Sequence, residues 1–191
     1  MNCYVIDTSS FIDIFHRHPP DLYPVFWEQF NKYIDELLIK GELIILNYVS
    51  DEILHDAGTK LGDTEDPIAI WLRDRKKYIK DISTDISILK QVKDILQKFP
   101  HSVDTEKTPE AADPYLIAFV LDHQKQQDIM CLKKTFVIVT QESRNKNIDI
   151  EEIRERNSPI PEVTKIRSIC DYYDIPSMDY LGLFRTEGWT F

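Results

Sequence analysis

Cys3-Tyr4-Val5-Ile6-Asp7-Thr8-Ser9-Ser10-Phe11-Ile12-Asp13-Ile14-Phe15 decides the fold. The run Cys3 to Ile6 is apolar, too short for a helix, and suited to a strand buried on both faces. Phe11, Ile12, Ile14 and Phe15 then recur at the spacing of a helix that packs one side onto a core. A buried strand passing directly into a helix opens a parallel α/β unit. The acid at the joint, Asp7, points into the crevice above the carboxyl edge of the sheet.

Reading outward, Asp21 is placed to cap a long helix whose apolar positions include Leu22, Val25, Phe26, Phe30, Tyr33, Ile34, Leu37 and Leu38, and Gly41 ends it. Leu43-Ile44-Ile45-Leu46 reads as a second buried strand, followed by a helix with Val49, Ile53, Leu54 and Ala57 that stops near Gly58. Residues from about 59 to 110 read as a helical elaboration. One helix runs from Asp66-Pro67 through Lys80, another from Thr84 to Lys98, and a polar loop covers His101 to Pro109. Pro114 suits a first helical position, which makes Asp113 the cap of a helix carrying Tyr115, Leu116, Ala118, Phe119 and Leu121. Thr135-Phe136-Val137-Ile138-Val139 is a third strand and runs into Thr140-Gln141-Glu142. A loop with Pro159 and Pro161, a helix around Ile166 to Tyr173 and a final short strand from Ile175 to Tyr180 complete the chain. Strands separated by helices predict one α/β domain over 1–191, a three-layer α/β/α sandwich with a mostly parallel sheet.

With 191 residues, 42% hydrophobic and 29% charged, the chain can bury one sizeable core. It has no run approaching the roughly 20 apolar residues of a membrane span and no basic-then-apolar export signal, so a cytoplasmic protein without membrane contact is expected. Cys3, Cys131 and Cys170 lack the paired spacing of a zinc site; they read as reduced thiols, Cys3 in the core. A net charge of −10 and a pI near 4.9 argue against nucleic-acid binding through a broad basic face. They leave room for an enzyme that meets nucleic acid through bound cations. Arg73, Arg75, Lys76, Lys77 and Lys80 crowd one segment, either as a solvated helix face or as a grip on a phosphate backbone, with Trp71 and Tyr78 beside them.

Asp7, Glu52, Asp113 and Glu142 each fall where a strand ends or a helix begins. Singly they have structural explanations: Asp113 as a cap, Glu52 in the first turn of its helix, Glu142 as a loop acid. Together they predict a cluster at one sheet edge. Like charges so gathered persist only if protonated or neutralised by cations. Hard Mg²⁺ or Mn²⁺ prefers oxygen ligands, and one or two such ions about 4 Å apart can activate a water for in-line attack on a phosphodiester.

The segments Val5-Ile6-Asp7-Thr8-Ser9-Ser10-Phe11-Ile12, Glu52-Ile53-Leu54, Ala112-Asp113-Pro114-Tyr115-Leu116-Ile117-Ala118 and Val137-Ile138-Val139-Thr140-Gln141-Glu142, in this order, resemble the four motifs of the PIN domain. The C-terminal stretch Lys165-Ile166-Arg167-Ser168-Ile169-Cys170 through Gly188-Trp189 resembles a larger PIN-like branch. The resemblance implies a metal-dependent endoribonuclease, similar to the VapC-type toxins of prokaryotic toxin-antitoxin pairs. It implies that Asp7, Glu52, Asp113 and Glu142 are the metal-binding and catalytic acids, with Ser9 supporting the first and Thr140 preceding the fourth. It further implies an RNA substrate, a cognate antitoxin and a homodimer; the basic cluster makes Arg73, Arg75, Lys76 and Lys77 the candidates for gripping the RNA backbone. Glu142 stands where many members carry aspartate, and the segment between Glu52 and Asp113 exceeds that of compact toxins.

Other constellations have no anchor. Glu52-Ile53-Leu54-His55 is a single Glu-x-x-His where di-iron bundles need two. No Walker loop, G-x-G-x-x-G or H-E-x-x-H occurs. His16, His18, His55, His101 and His123 form no ligand-like group and read as mostly surface residues. A PIN-like module that binds RNA or protein without turnover, and a metal-dependent DNA nuclease or phosphatase, are the alternatives to the ribonuclease.

Overall fold

The computed structural model describes residues 1–56, 58, 66–102, 111–130 and 134–191, for 56 and 127–130 in their backbone only. Ala57, Cys131 and most of the expected loop from His101 to Pro109 lie outside the described residues. The chain runs β1 (Asn2–Ile6), α1 (Thr8–Arg17), α2 (Pro24–Lys40), β2 (Leu43–Leu46), α3 (Asn47–Asp56) and α4 (Pro67–Asp74). A 3₁₀ turn (Lys76–Tyr78) leads to β3 (Ile79–Lys80), α5 (Ile86–Lys98), α6 (Asp113–Met130) and β4 (Thr135–Val139). α7 (Ile150–Glu155), α8 (Ile166–Tyr172), β5 (Ser177–Met178) and α9 (Tyr180–Thr186) finish it.

The five strands form one parallel sheet in the order β3-β2-β1-β4-β5, flanked by the helices as a three-layer sandwich. β1 is central. Its register with β4 runs from Asn2 opposite Thr135 to Ile6 opposite Val139, and with β2 it pairs Tyr4 with Leu43. Cys3 to Ile6 and Phe136 to Val139 are buried, which is why both strands read as unbroken apolar runs. The chain leaves β1 toward β2 on one side and returns through β4 on the other, so a topological switch point lies between β1 and β4.

Local chemistry explains most boundaries. α1 buries Phe11, Ile14 and Phe15 on one face. Gly41 ends α2 at φ 65°, a left-handed conformation that glycine adopts without a Cβ penalty. In α6, five successive residues from Leu116 to Val120 are buried, because the helix packs against β4, α5 and α8 at once. The C-terminus closes onto α2: Trp189 stacks on Tyr33 with centroids 5.1 Å apart, and Phe191 meets Phe26 at 4.6 Å. The Tyr4 hydroxyl donates to Glu187 at 2.5 Å, and burial followed by this bond pushes its pKa up to about 12.

Several expectations are corrected. The segment before α5 is not wholly helical, since Ile79–Lys80 extends the sheet beside β2. Two residues carry too little periodicity to be read as a strand. α2 starts at Pro24 rather than being capped by Asp21, and Leu22 and Val25 are exposed. α7 and α9 are helices at segments given no helix from the sequence, and the strand expected from Ile175 to Tyr180 is confined to Ser177–Met178 because Tyr180 already begins α9. Asp149 caps the first by accepting from the Glu151 and Glu152 amides, and Asp179 caps the second by accepting from Gly182.

Arg75 is also reassigned. Its guanidinium is buried, donates to both carboxylate oxygens of Asp35 at 2.7 and 3.0 Å and to Asn31 at 3.0 Å, and lies over the Trp71 ring at 4.3 Å. Trp71 packs against Phe11 and Phe15 in the core. Arg75 therefore ties α4 to α2 instead of reaching for a phosphate backbone. Arg75→Ala is expected to cost about 1–3 kcal/mol of stability, through lost charged hydrogen bonds and ring packing. A urea unfolding midpoint equal to wild type would refute this role.

Candidate functional site

Each predicted acid reaches the same sheet edge for a topological reason. Asp7 follows β1 and Glu142 follows β4, at the two sides of the switch point. α3 follows β2 and so starts at the carboxyl edge, with Glu52 in its second turn rather than the first. α6 precedes β4 and runs antiparallel to it, which returns its N-terminus to that edge. Asp113 is the first residue of α6 and not its cap, because the Ala112 carbonyl accepts the opening bonds from Tyr115 and Leu116. A cleft of about 470 Å³ has all four acids in its lining.

Asp7 is the most constrained of the four. Its Oδ2 accepts from Ser9 Oγ at 2.5 Å and Thr140 Oγ1 at 2.8 Å. Both hydroxyls are themselves oriented from behind, since the Gln141 amide donates to Ser9 Oγ at 3.0 Å and the Glu142 amide to Thr140 Oγ1 at 3.1 Å. Asp7 sits at the cap position of α1 without closing a well-formed cap bond; the nearby Thr8 and Ser9 amides still favour its charge. Burial wins, and its carboxyl is raised above the ordinary value. Glu52 Oε2 accepts from Thr8 Oγ1 at 2.5 Å. Glu142 is raised by burial and by Asp7, while the Ile166 amide and Lys165 pull it the other way.

Asp113 is the electrostatic centre. Its carboxyl accepts no hydrogen bond from a described residue, and its pKa is raised well above the ordinary value, first by desolvation and then by Asp7, Glu142 and Glu52. The three other acids thus act on it jointly although they come from three other parts of the chain. Among the described residues no Lys or Arg lines the cleft. A fifth lining acid, Asp13, is neutralised on its own helix by Arg17 at 2.7 Å.

This donor set suits a hard divalent cation. Its four acids offer carboxylate oxygens, and one carboxyl has no hydrogen-bond partner among the described residues. Among the described residues no three His, Cys, Asp or Glu side chains stand close enough to ligate an ion directly. The arrangement is an open acidic basin, appropriate to an ion that keeps part of its water shell.

The expected phosphate grip is not brought to the cleft. Arg73, Lys76 and Lys77 are exposed and, like the buried Arg75, stand outside its lining. Sequence reasoning missed Thr8, Gln141, Ile12 and His16, which do line it. The signal was available: positions 9, 12, 13 and 16 share one face of α1, opposite Phe11 and Phe15.

The raised carboxyl of Asp113 has a signed consequence. An acid whose pKa is higher folded than unfolded favours folding below its unfolded pKa and loses that contribution as pH rises through the folded value. In chelator, Asp113→Asn, which keeps the neutral shape, should match wild-type stability near about pH 4 and exceed it increasingly toward neutrality. Urea unfolding across pH checks this; a difference that does not change with pH would contradict it.

No helix among the described residues is long and apolar enough to cross a membrane. No curated protein and no solved structure matches the chain. The family model described as "Domain of unknown function (DUF4411)" matches residues 4–191. That span takes in Asp7, Glu52, Asp113 and Glu142 together with every strand from Tyr4 onward, and the chain belongs to the DUF4411 family.

Proposed function

We propose that this protein is a PIN-like, Mg²⁺- or Mn²⁺-dependent ribonuclease that hydrolyses RNA phosphodiester bonds, the toxin of a prokaryotic toxin-antitoxin pair. The observation that carries the reading is the Asp113 carboxyl, without a hydrogen-bond partner among the described residues, in one cleft with Asp7, Glu52 and Glu142. The toxin role, the antitoxin partner and a homodimer are supported by the ordered four-motif resemblance, and a cytoplasmic setting is the default for a sequence in which no export signal is visible.

In this reading Asp7 and Asp113 hold the cation, and Glu52 and Glu142 act directly or through water. A bound divalent ion would supply a more acidic water and charge neutralisation at the leaving oxygen. The protein's own part is orientation. Ser9 and Thr140 fix one oxygen of Asp7, Thr8 fixes one oxygen of Glu52, and the Ile166 amide steadies Glu142. Such supports matter because a carboxylate that swings costs affinity for its ion.

One observation favours a second reading, a module of the same shape that binds RNA or protein without hydrolysis. The basin is open, and among the described residues no three acids stand at direct ligating distance. The two readings part on turnover.

Purified protein should cleave single-stranded RNA when Mg²⁺ or Mn²⁺ is added and stop when chelator is in excess. Asp7→Asn and Asp113→Asn should each lose more than about 100-fold in rate, and Ser9→Ala or Thr140→Ala about 10–100-fold. Full activity in both Asn variants would refute the site. Cleavage of DNA or a phosphomonoester alone would replace the substrate assignment. No metal-dependent cleavage, with RNA still bound, would favour the second reading.

A further inference from the structure

An anionic substrate entering this cleft meets a wall of acceptors. Of the polar side chains in the lining, the five acids, ionised once cations are bound, accept only. The Thr8 hydroxyl donates to Glu52 and the Ser9 hydroxyl to Asp7, so neither proton is available to a phosphate. Gln141 directs its amide toward Asp13 at 3.4 Å. Cations at the acids can neutralise the floor, but phosphate oxygens at the mouth need a donor from the protein, and the basic cluster expected to supply it lies elsewhere.

His16 meets that need. It lies in the last turn of α1, on the face that carries Ser9, Ile12 and Asp13 into the cleft. It is exposed, and its ring makes no hydrogen bond, ion pair or ring contact with a described residue. His18 and His123 differ. His18 stacks on Phe26 at 4.3 Å, and His123 lies over Phe119 at 4.0 Å with Nδ1 at 2.9 Å from a backbone carbonyl. Among the described residues an imidazole is also the one lining group able to carry positive charge.

We propose that His16 binds the substrate, donating a ring N–H to a phosphate oxygen of a single-stranded phosphodiester as it crosses the mouth of the cleft. The proposal rests on the nuclease reading for the class of substrate. It makes His16 a substrate-contact residue with no part in holding metal, and it predicts that donor capacity at this position matters more than ring shape.

The test uses the full chain and a fluorescein-labelled oligouridylate decamer with phosphorothioate linkages, which resist hydrolysis, titrated by anisotropy with Mg²⁺ present. His16→Ala should bind about ten-fold more weakly, as expected for loss of one phosphate hydrogen bond. His16→Arg should restore binding to within about three-fold. The urea midpoint and Mn²⁺ affinity of both variants should equal wild type, because the side chain is exposed and outside the acid set. On an all-phosphate decamer, KM should rise in His16→Ala with kcat within about two-fold. Equal decamer binding by wild type and His16→Ala, or no binding by wild type, overturns the proposal, and altered Mn²⁺ affinity does so too. If wild type binds in a His16-dependent way but never cleaves, the nuclease reading fails while the contact stands. If wild type cleaves but binds independently of His16, the contact fails while the nuclease reading stands.

Discussion

The parallel pairing of β1 with β4 is the constraint on which the site depends. Its register carries both strands to the same level at the carboxyl edge, where the Asp7 amide donates to the Val139 carbonyl at 2.9 Å. Beyond that point the chains stay stitched. Ser10 Oγ donates to the same carbonyl at 3.1 Å, and the Gln141 amide donates to Ser9 Oγ. A slip of one residue would turn every buried side chain of a strand to the other face, so the apolar runs themselves enforce the register. Core packing thus places the hydroxyls of Ser9 and Thr140 on one oxygen of Asp7 with no tolerance to spare.

Holding like charges together opposes folding, and the fold tolerates it because the opposition is local while the support is distributed. Desolvation raises the carboxyls of Asp7, Asp113 and Glu142, and repulsion from neighbouring acids adds to it at Asp113 and Glu142. Against this stand an apolar sheet buried on both sides, the buried first turns of α6, and an aromatic layer from α1 and α2 to Trp189 and Phe191 at the C-terminus. Local destabilisation of this kind is the usual companion of a functional site. Anything that neutralises the basin would remove repulsion as well as complete a site, so cation binding and stability are linked here.

Much of the fold and the acid set was legible because the informative segments obey one rule each. β1, β2 and β4 are short apolar runs, and Asp7, Asp113 and Glu142 follow from strand-to-helix or helix-to-strand order alone. What stayed hidden has physical reasons. Ile79–Lys80 is too short to show a period, and α7 and α9 are brief helices defined by the caps Asp149 and Asp179. Arg75 looked like part of a basic patch because sequence shows charge but not partner; only the fold reveals Asp35 and Asn31 around it. His16 was discounted as a lone histidine, since its meaning depends on which face of α1 lines the cleft.

The claim that a cation completes this cleft is tested most directly by calorimetric titration of Mn²⁺ into chelator-stripped protein, repeated in buffers of different ionisation enthalpy. Saturable binding that releases protons, and that is lost in Asp113→Asn, is the result this account predicts, because carboxyls raised by burial and by one another must give up protons to an incoming ion. Absence of saturable binding, or binding undiminished in Asp113→Asn, would contradict it.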